Sequence, residues 1–154
     1  MIEMYEGNDF WASPSEYKPG EQLTIEKRIT LERNLGVKFP DEFIQLMEMQ
    51  NGGQLSYRYV LFEDGDAAII PFFYEMEEDS GIGLSQVFVE ECGLPEGIIL
   101  LTGDFHTWVA LDYREDKQVP AVVYIVQSEM DENKWEEFQM ASTFNEFLGK
   151  LFKK

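Results

Sequence analysis

The sequence predicts one α+β domain over residues 1–154, with helices packed on one side of a mainly antiparallel or mixed sheet and a helix at the C-terminus. Three observations predict it. Two helical patterns come first, a series of strand patterns follows, and an amphipathic stripe closes the chain. The pair Asp64-Gly65, between extended runs at Leu55 to Phe62 and Ala67 to Tyr74, is a strong hairpin signal. The 154 residues, 44% hydrophobic and 14% aromatic, suffice for one core.

Residues 1–23 read as an ordered arm packed by its rings, with Phe10, Trp11, Tyr17 and the turn pair Pro19-Gly20. Thr24 caps a first helix running to Leu35, and Gly36 is placed as its left-handed stop. Pro40 suits the first position of a second helix, where Asp41 and Glu42 oppose the dipole and Phe43, Leu46 and Met47 recur at helical spacing. That helix ends at Asn51-Gly52-Gly53. Leu84, Val87 and Phe88 suggest a short third helix, terminated by Gly93 and Pro95. Strands are expected at Gly97 to Leu101, His106 to Leu111 and Val119 to Gln127, extending one sheet with the hairpin. Thr143 and Glu146 form a capping box for a last helix, whose stripe is Phe144, Phe147, Leu148, Leu151 and Phe152.

The formal charge of −18 disfavours direct binding of nucleic acid or anionic lipid, because both require Lys and Arg against phosphates. Between Arg58 and Arg114 there is no Lys or Arg, while twelve carboxylates fall in that interval. This acidic field is either a means of solubility or a surface for a basic partner. The single cysteine, Cys92, forms no internal disulfide, and the first residues lack a signal-peptide pattern, so a cytoplasmic location is expected. No apolar run is long enough to predict a membrane span.

Catalytic chemistry would hang on the only histidine, His106, with Asp104 or Asp112 to orient it. No Gly-x-Ser-x-Gly elbow accompanies it, so a turn histidine bonded to a carboxylate is the preferred reading and a hydrolase the remote one. One His and one Cys do not make a zinc site, and neither Gly81-Ile82-Gly83 nor Asn51-Gly52-Gly53 completes a nucleotide-binding motif. No catalytic, metal or cofactor residues are therefore assigned.

Four stretches in order carry a resemblance: Asp9-Phe10-Trp11 with Ser15-Glu16-Tyr17, Leu35-Gly36-Val37-Lys38-Phe39-Pro40, Gln50-Asn51-Gly52-Gly53, and Gly103 through Arg114. With Leu94-Pro95-Glu96-Gly97 and a final helix near Phe144, the chain resembles the SUKH superfamily, in the branch related to the fungal cell-wall-assembly regulator. It departs from the pattern at Phe105, where a glycine is expected, so the turn before His106 is expected to differ. The resemblance implies a non-catalytic α+β domain, used in bacteria chiefly as an immunity protein against polymorphic toxins, often nucleases or deaminases. A housekeeping regulator or scaffold of cell-wall synthesis is the alternative.

The resemblance and the charge together point to a basic protein partner. A shallow groove of Asp9, Trp11, Tyr17, Asp104, His106, Asp112 and Arg114 is the candidate binding site, joined by Glu77, Glu78 and Asp79 from the acidic segment. Trp108 is read as core, and Gly52 and Gly53 as positions needing unusual backbone angles.

Overall fold

The computed structural model describes residues 2–62 and 65–154, so Glu63 and Asp64 of the predicted hairpin turn lie outside the described residues. After strand β1 (Glu3–Met4), helix α1 (Ile25–Leu35) starts where the Thr24 hydroxyl accepts from the Lys27 amide, and Gly36 ends it at φ 71°. Helix α2 (Asp41–Met49) follows, with Pro40 one position before it instead of inside its first turn. Then come β2 (Gly53–Gln54), β3 (Tyr59–Leu61), β4 (Ala67–Ile69), β5 (Phe72–Phe73) and a 3-10 turn at Ile82–Leu84. Helix α3 (Ser85–Cys92) is stopped by Gly93 at φ 69°. The chain finishes through β6 (Ile98–Gly103), β7 (Thr107–Asp112), β8 (Ala121–Gln127), β9 (Trp135–Ala141), α4 (Phe144–Leu148) and β10 (Leu151–Lys153).

The fold is α+β and its sheets are antiparallel, but the strands divide among three sheets where one was expected. The largest has the order β6-β7-β8-β9, a second has β1-β10-β3-β4, and β2 pairs with β5. Proline explains the division of the second extended run: Pro71 has no amide to donate, and it separates β4 from β5 while its carbonyl accepts from the Leu55 amide.

The C-terminal helix is shorter than its stripe predicts. It stops at Leu148, and Leu151 and Phe152 leave it to pair with Val60 and Tyr59 in β3. The five apolar positions meet a helical spacing, yet the last two are adjacent, and a strand that is covered on both faces buries adjacent residues equally well. Leu151 and Phe152 are both buried, and Phe152 stacks on Tyr59 with ring centroids 5.4 Å apart. Strand β9 escaped the sequence reading altogether. Its Glu136, Glu137, Phe138 and Gln139 are exposed, so no clean alternation marks it.

Register settles the two faces of the large sheet. Trp108 pairs with Ile125 and Val109 with Tyr124, which puts Trp108 and Tyr124 on opposite sides. Phe88 of α3 packs 6.0 Å from the Trp108 ring, and the Trp135 indole donates to the Cys92 carbonyl, so α3 lies on the Trp108 face. Phe62, following β3, meets Tyr124 at 5.2 Å on the other. A continuous set of buried side chains joins these layers to α2 and α4 through Phe43, Phe73 and Phe144.

Because α4 contributes buried Phe144, Phe147 and Leu148 to that core, Leu148→Ala should lower stability by about 2 to 5 kcal/mol through cavity formation. Urea denaturation of the variant checks it. A loss below about 0.5 kcal/mol would make α4 a peripheral element.

Candidate functional site

The site begins with Asn51, a buried polar residue at the end of α2. Its side-chain carbonyl accepts from the Met76 amide at 2.7 Å, and its side-chain nitrogen donates to the Glu21 carbonyl at 2.7 Å and the Met76 carbonyl at 3.2 Å. Its own carbonyl accepts from the Gly20 amide. One side chain thus fastens the N-terminal arm and the acidic segment to α2. Gly52, at φ 85°, lies so close that an added Cβ would stand 2.8 Å from the Glu75 amide nitrogen. Only glycine fits there.

The acidic segment is thereby pinned under the arm. Tyr17 stacks flat on Phe72 at 4.2 Å and donates its hydroxyl to Glu75, which also accepts from Ser80 at 2.8 Å. Burial first, and then the bond to the Glu75 carboxylate, push the Tyr17 hydroxyl well above its ordinary range, so it stays a donor. Glu77 is half-buried and pairs with Lys27 at 2.9 Å. It also accepts from the Glu21 amide and the Asn51 side chain. Glu78 and Asp79 are exposed, and Glu78 accepts from the Asn34 side-chain amide at 3.4 Å. Glu75, Glu77, Asp79, Tyr17, Lys18 and Glu21 border an open depression of about 720 Å³.

A ribbon of rings leads from this depression to the β6–β7 turn. Phe72 meets Tyr74 at 5.4 Å, Tyr74 meets Phe88 at 6.3 Å, and Phe88 meets Phe105 edge-on at 5.6 Å. The Tyr74 hydroxyl donates to the Gly103 carbonyl, and burial raises its pKa to about 12. Phe105 holds φ 74°, the left-handed backbone that a glycine takes freely. The left-handed region costs an ordinary residue roughly 1–2 kcal/mol, and contacts with Phe88 and Trp108 offset part of that. The ring remains half exposed.

The predicted site residues fall into four groups. Tyr17, Glu77 and Asp79 line the depression, and Glu78, between the last two, turns to Asn34 of α1. Trp11 packs between Phe10 and Phe73 and donates its indole N–H to the Leu46 carbonyl, which makes it half-buried scaffold, while Asp9 is exposed at φ 58°. Asp104 and His106 sit at the β6–β7 turn, whereas Asp112 ends β7 and Arg114 follows it, at the opposite end of the same hairpin. The groove drawn from sequence is therefore not one surface. A six-residue strand of roughly 20 Å separates its ends.

His106 is exposed, and its Nδ1 lies 3.0 Å from the Gln127 side-chain oxygen, not from a carboxylate. Asp104 is spent on the turn, where it accepts from the His106 and Thr107 amides. Asp112 is held by Arg114: burial raises its pKa, but the guanidinium bonds outweigh that and lower it overall. Arg114 extends on to Glu137. Among the described residues no group of three His, Cys, Asp or Glu side chains is placed to hold a metal ion. No helix among them is long and apolar enough to cross a membrane.

Sequence reasoning missed Glu75 and Lys27, and it read Asn51 only as part of a turn. The available signal was the unbroken Gln50-Asn51-Gly52-Gly53 block, whose asparagine can satisfy backbone groups on two other segments. A family model described as SUKH_6, SMI1-KNR4 cell-wall, matches residues 26–148. No curated protein and no solved structure matches the chain.

Asn51→Ala leaves the Met76 amide and the Glu21 carbonyl without their partner, and it should cost about 2 to 4 kcal/mol. Hydrogen exchange locates the damage. Protection should fall first around Gly20 and Met76, and an unchanged exchange pattern there would show that Asn51 does not hold the two segments together.

Proposed function

From the premise that the chain belongs to the SUKH superfamily, matching its SMI1-KNR4 cell-wall family over residues 26–148, we propose that it is a non-catalytic immunity protein that neutralises a toxin domain by binding it. The partner presents a basic surface, as a nuclease or deaminase does where it holds phosphates. The observation that supports this most is the charge: −18 overall, with the interval from Arg58 to Arg114 free of Lys and Arg. Such a field speeds the encounter with a cationic protein and repels nucleic acid itself. The cell-wall character of the matching family favours a regulator of envelope synthesis as the second reading.

The structure refines which carboxylates test the idea. Glu77 is committed to Lys27 and the Asn51 network, so reversing it would damage the fold. Glu78 and Asp79 are exposed and suited to reversal. Against a toxin domain encoded by a neighbouring gene, Glu78→Lys with Asp79→Lys should slow association severalfold and change dissociation much less. Stopped-flow binding across a salt series measures both rates, since exposed attractions are screened over about 8 Å at physiological salt. An acidic partner, or an association rate indifferent to salt and to reversal, would remove the electrostatic basis of the proposal.

Neutralisation should also survive His106→Ala, because the exposed His106 ring is bonded to the Gln127 side-chain amide at the surface. A turnover activity that disappears in this variant while the fold is retained would establish an enzyme instead.

A further inference from the structure

We infer that the free edge of β9 is a docking strand for an extended, cationic segment of a partner protein, which adds to the large sheet as a fifth strand. This inference rests on the reading of the chain as a binder of a basic protein, and it names where such a partner is held. Strand β9 ends the order β6-β7-β8-β9, with no further strand beside it among the described residues.

The backbone is oriented for it. The Ser128 amide donates to the Lys134 carbonyl at 2.9 Å, and in the antiparallel register hydrogen-bonded pairs recur every second residue. Glu136 and Phe138 therefore bond to β8 through their pairs with Val126 and Tyr124. The amides and carbonyls of Trp135, Glu137 and Gln139 turn to the outer edge, where an added strand meets them.

The side chains name the occupant. Phe138, 49% exposed, adjoins Phe62 at 6.4 Å, and Phe62 adjoins Tyr124 at 5.2 Å. With Ala67, Glu137 and Gln139 they line an open depression of about 840 Å³, which takes the apolar side chains of one face of an added strand. Exposed Glu136 lies on the same face as Phe138, and Glu137, on the opposite face, already engages one guanidinium, that of Arg114 at 2.5 Å. An apolar floor on one face with a carboxylate on the other fits a segment that alternates aliphatic with Lys or Arg side chains. A second copy fits poorly, because pairing two β9 edges would bring acidic strands of chains carrying −18 each side by side.

The probe is an octapeptide alternating valine and lysine, titrated into the isotopically labelled chain and followed by amide NMR shifts. A peptide of the same charge, N-methylated on alternate amides along one edge, serves as control and leaves the protein untouched. Shifts should centre on Trp135, Glu137, Phe138 and Gln139. N-methylation, or Gln139→Pro with an otherwise unchanged spectrum, should weaken binding about tenfold or more, since both remove main-chain bonds at the edge. Glu136→Lys should weaken it severalfold and flatten its salt dependence.

Shifts confined to the depression at Tyr17, Glu75 and Asp79, or equal binding of the N-methylated peptide, would overturn the β9 assignment and leave a basic partner in place. Equal binding of a valine–glutamate peptide would overturn both. A dimer of the chain that Gln139→Pro disperses would give the edge to a second copy and overturn the inference as well.

Discussion

The side chain of Asn51 ties three parts of the chain together at one buried point. It is 2% exposed, and an amide carried that far from water is stable only if its donors and acceptor are matched. Met76 and Glu21 supply those matches, so the helix end, the arm and the acidic segment form as one unit or leave buried polar groups unpaired. Gly52 makes the approach sterically possible. The Tyr17–Glu75 bond and the Lys27–Glu77 pair follow from that placement.

This arrangement divides the acidic field into two kinds of carboxylate. Glu75 and Glu77 are absorbed by hydroxyl, amide and ammonium partners and act as structure. Glu78 and Asp79 remain exposed and supply long-range potential to the surface. Net charge alone does not distinguish them. The same division appears at the other end of the β6–β7 hairpin, where Asp112 is held by Arg114, and Arg114 also reaches Glu137 of β9.

The aromatic side chains carry a comparable double role. Tyr17, Phe72, Tyr74, Phe88 and Phe105 run from the arm to the β6–β7 turn, half-buried along most of the path, buried at Tyr74 and emerging at Phe105. A non-glycine residue at positive φ is retained where surrounding contacts determine the backbone, and ring contacts with Phe88 and Trp108 provide them here. A half-exposed ring on a fixed turn loses little conformational entropy when it is covered, which suits a contact surface.

Local chemistry was legible in the sequence alone. Thr24 and Thr143 capped the helices they were expected to cap, Gly36 and Gly93 stopped theirs, and β6, β7 and β8 lie within a few residues of their predicted runs. Each of these depends on one residue's own hydrogen-bonding group, backbone freedom or β-branching. The acidic, Lys- and Arg-free interval and the central place of Trp108 were equally readable from composition and pattern. Tertiary structure decided the rest. It turned Leu151 and Phe152 from helix to strand, because a gap beside β3 accepts adjacent apolar residues that a helical stripe also explains. It made an edge strand of Glu136 to Gln139, whose neighbours in space bury too little of it to leave a pattern. It also split the predicted groove, because Asp104 and Asp112 are close in number yet extended backbone carries them to opposite ends of a hairpin. Caps, stops and charge are properties of single residues, whereas sheet order and shared surfaces depend on which distant segments come together, and one sequence read along its length does not hold that information.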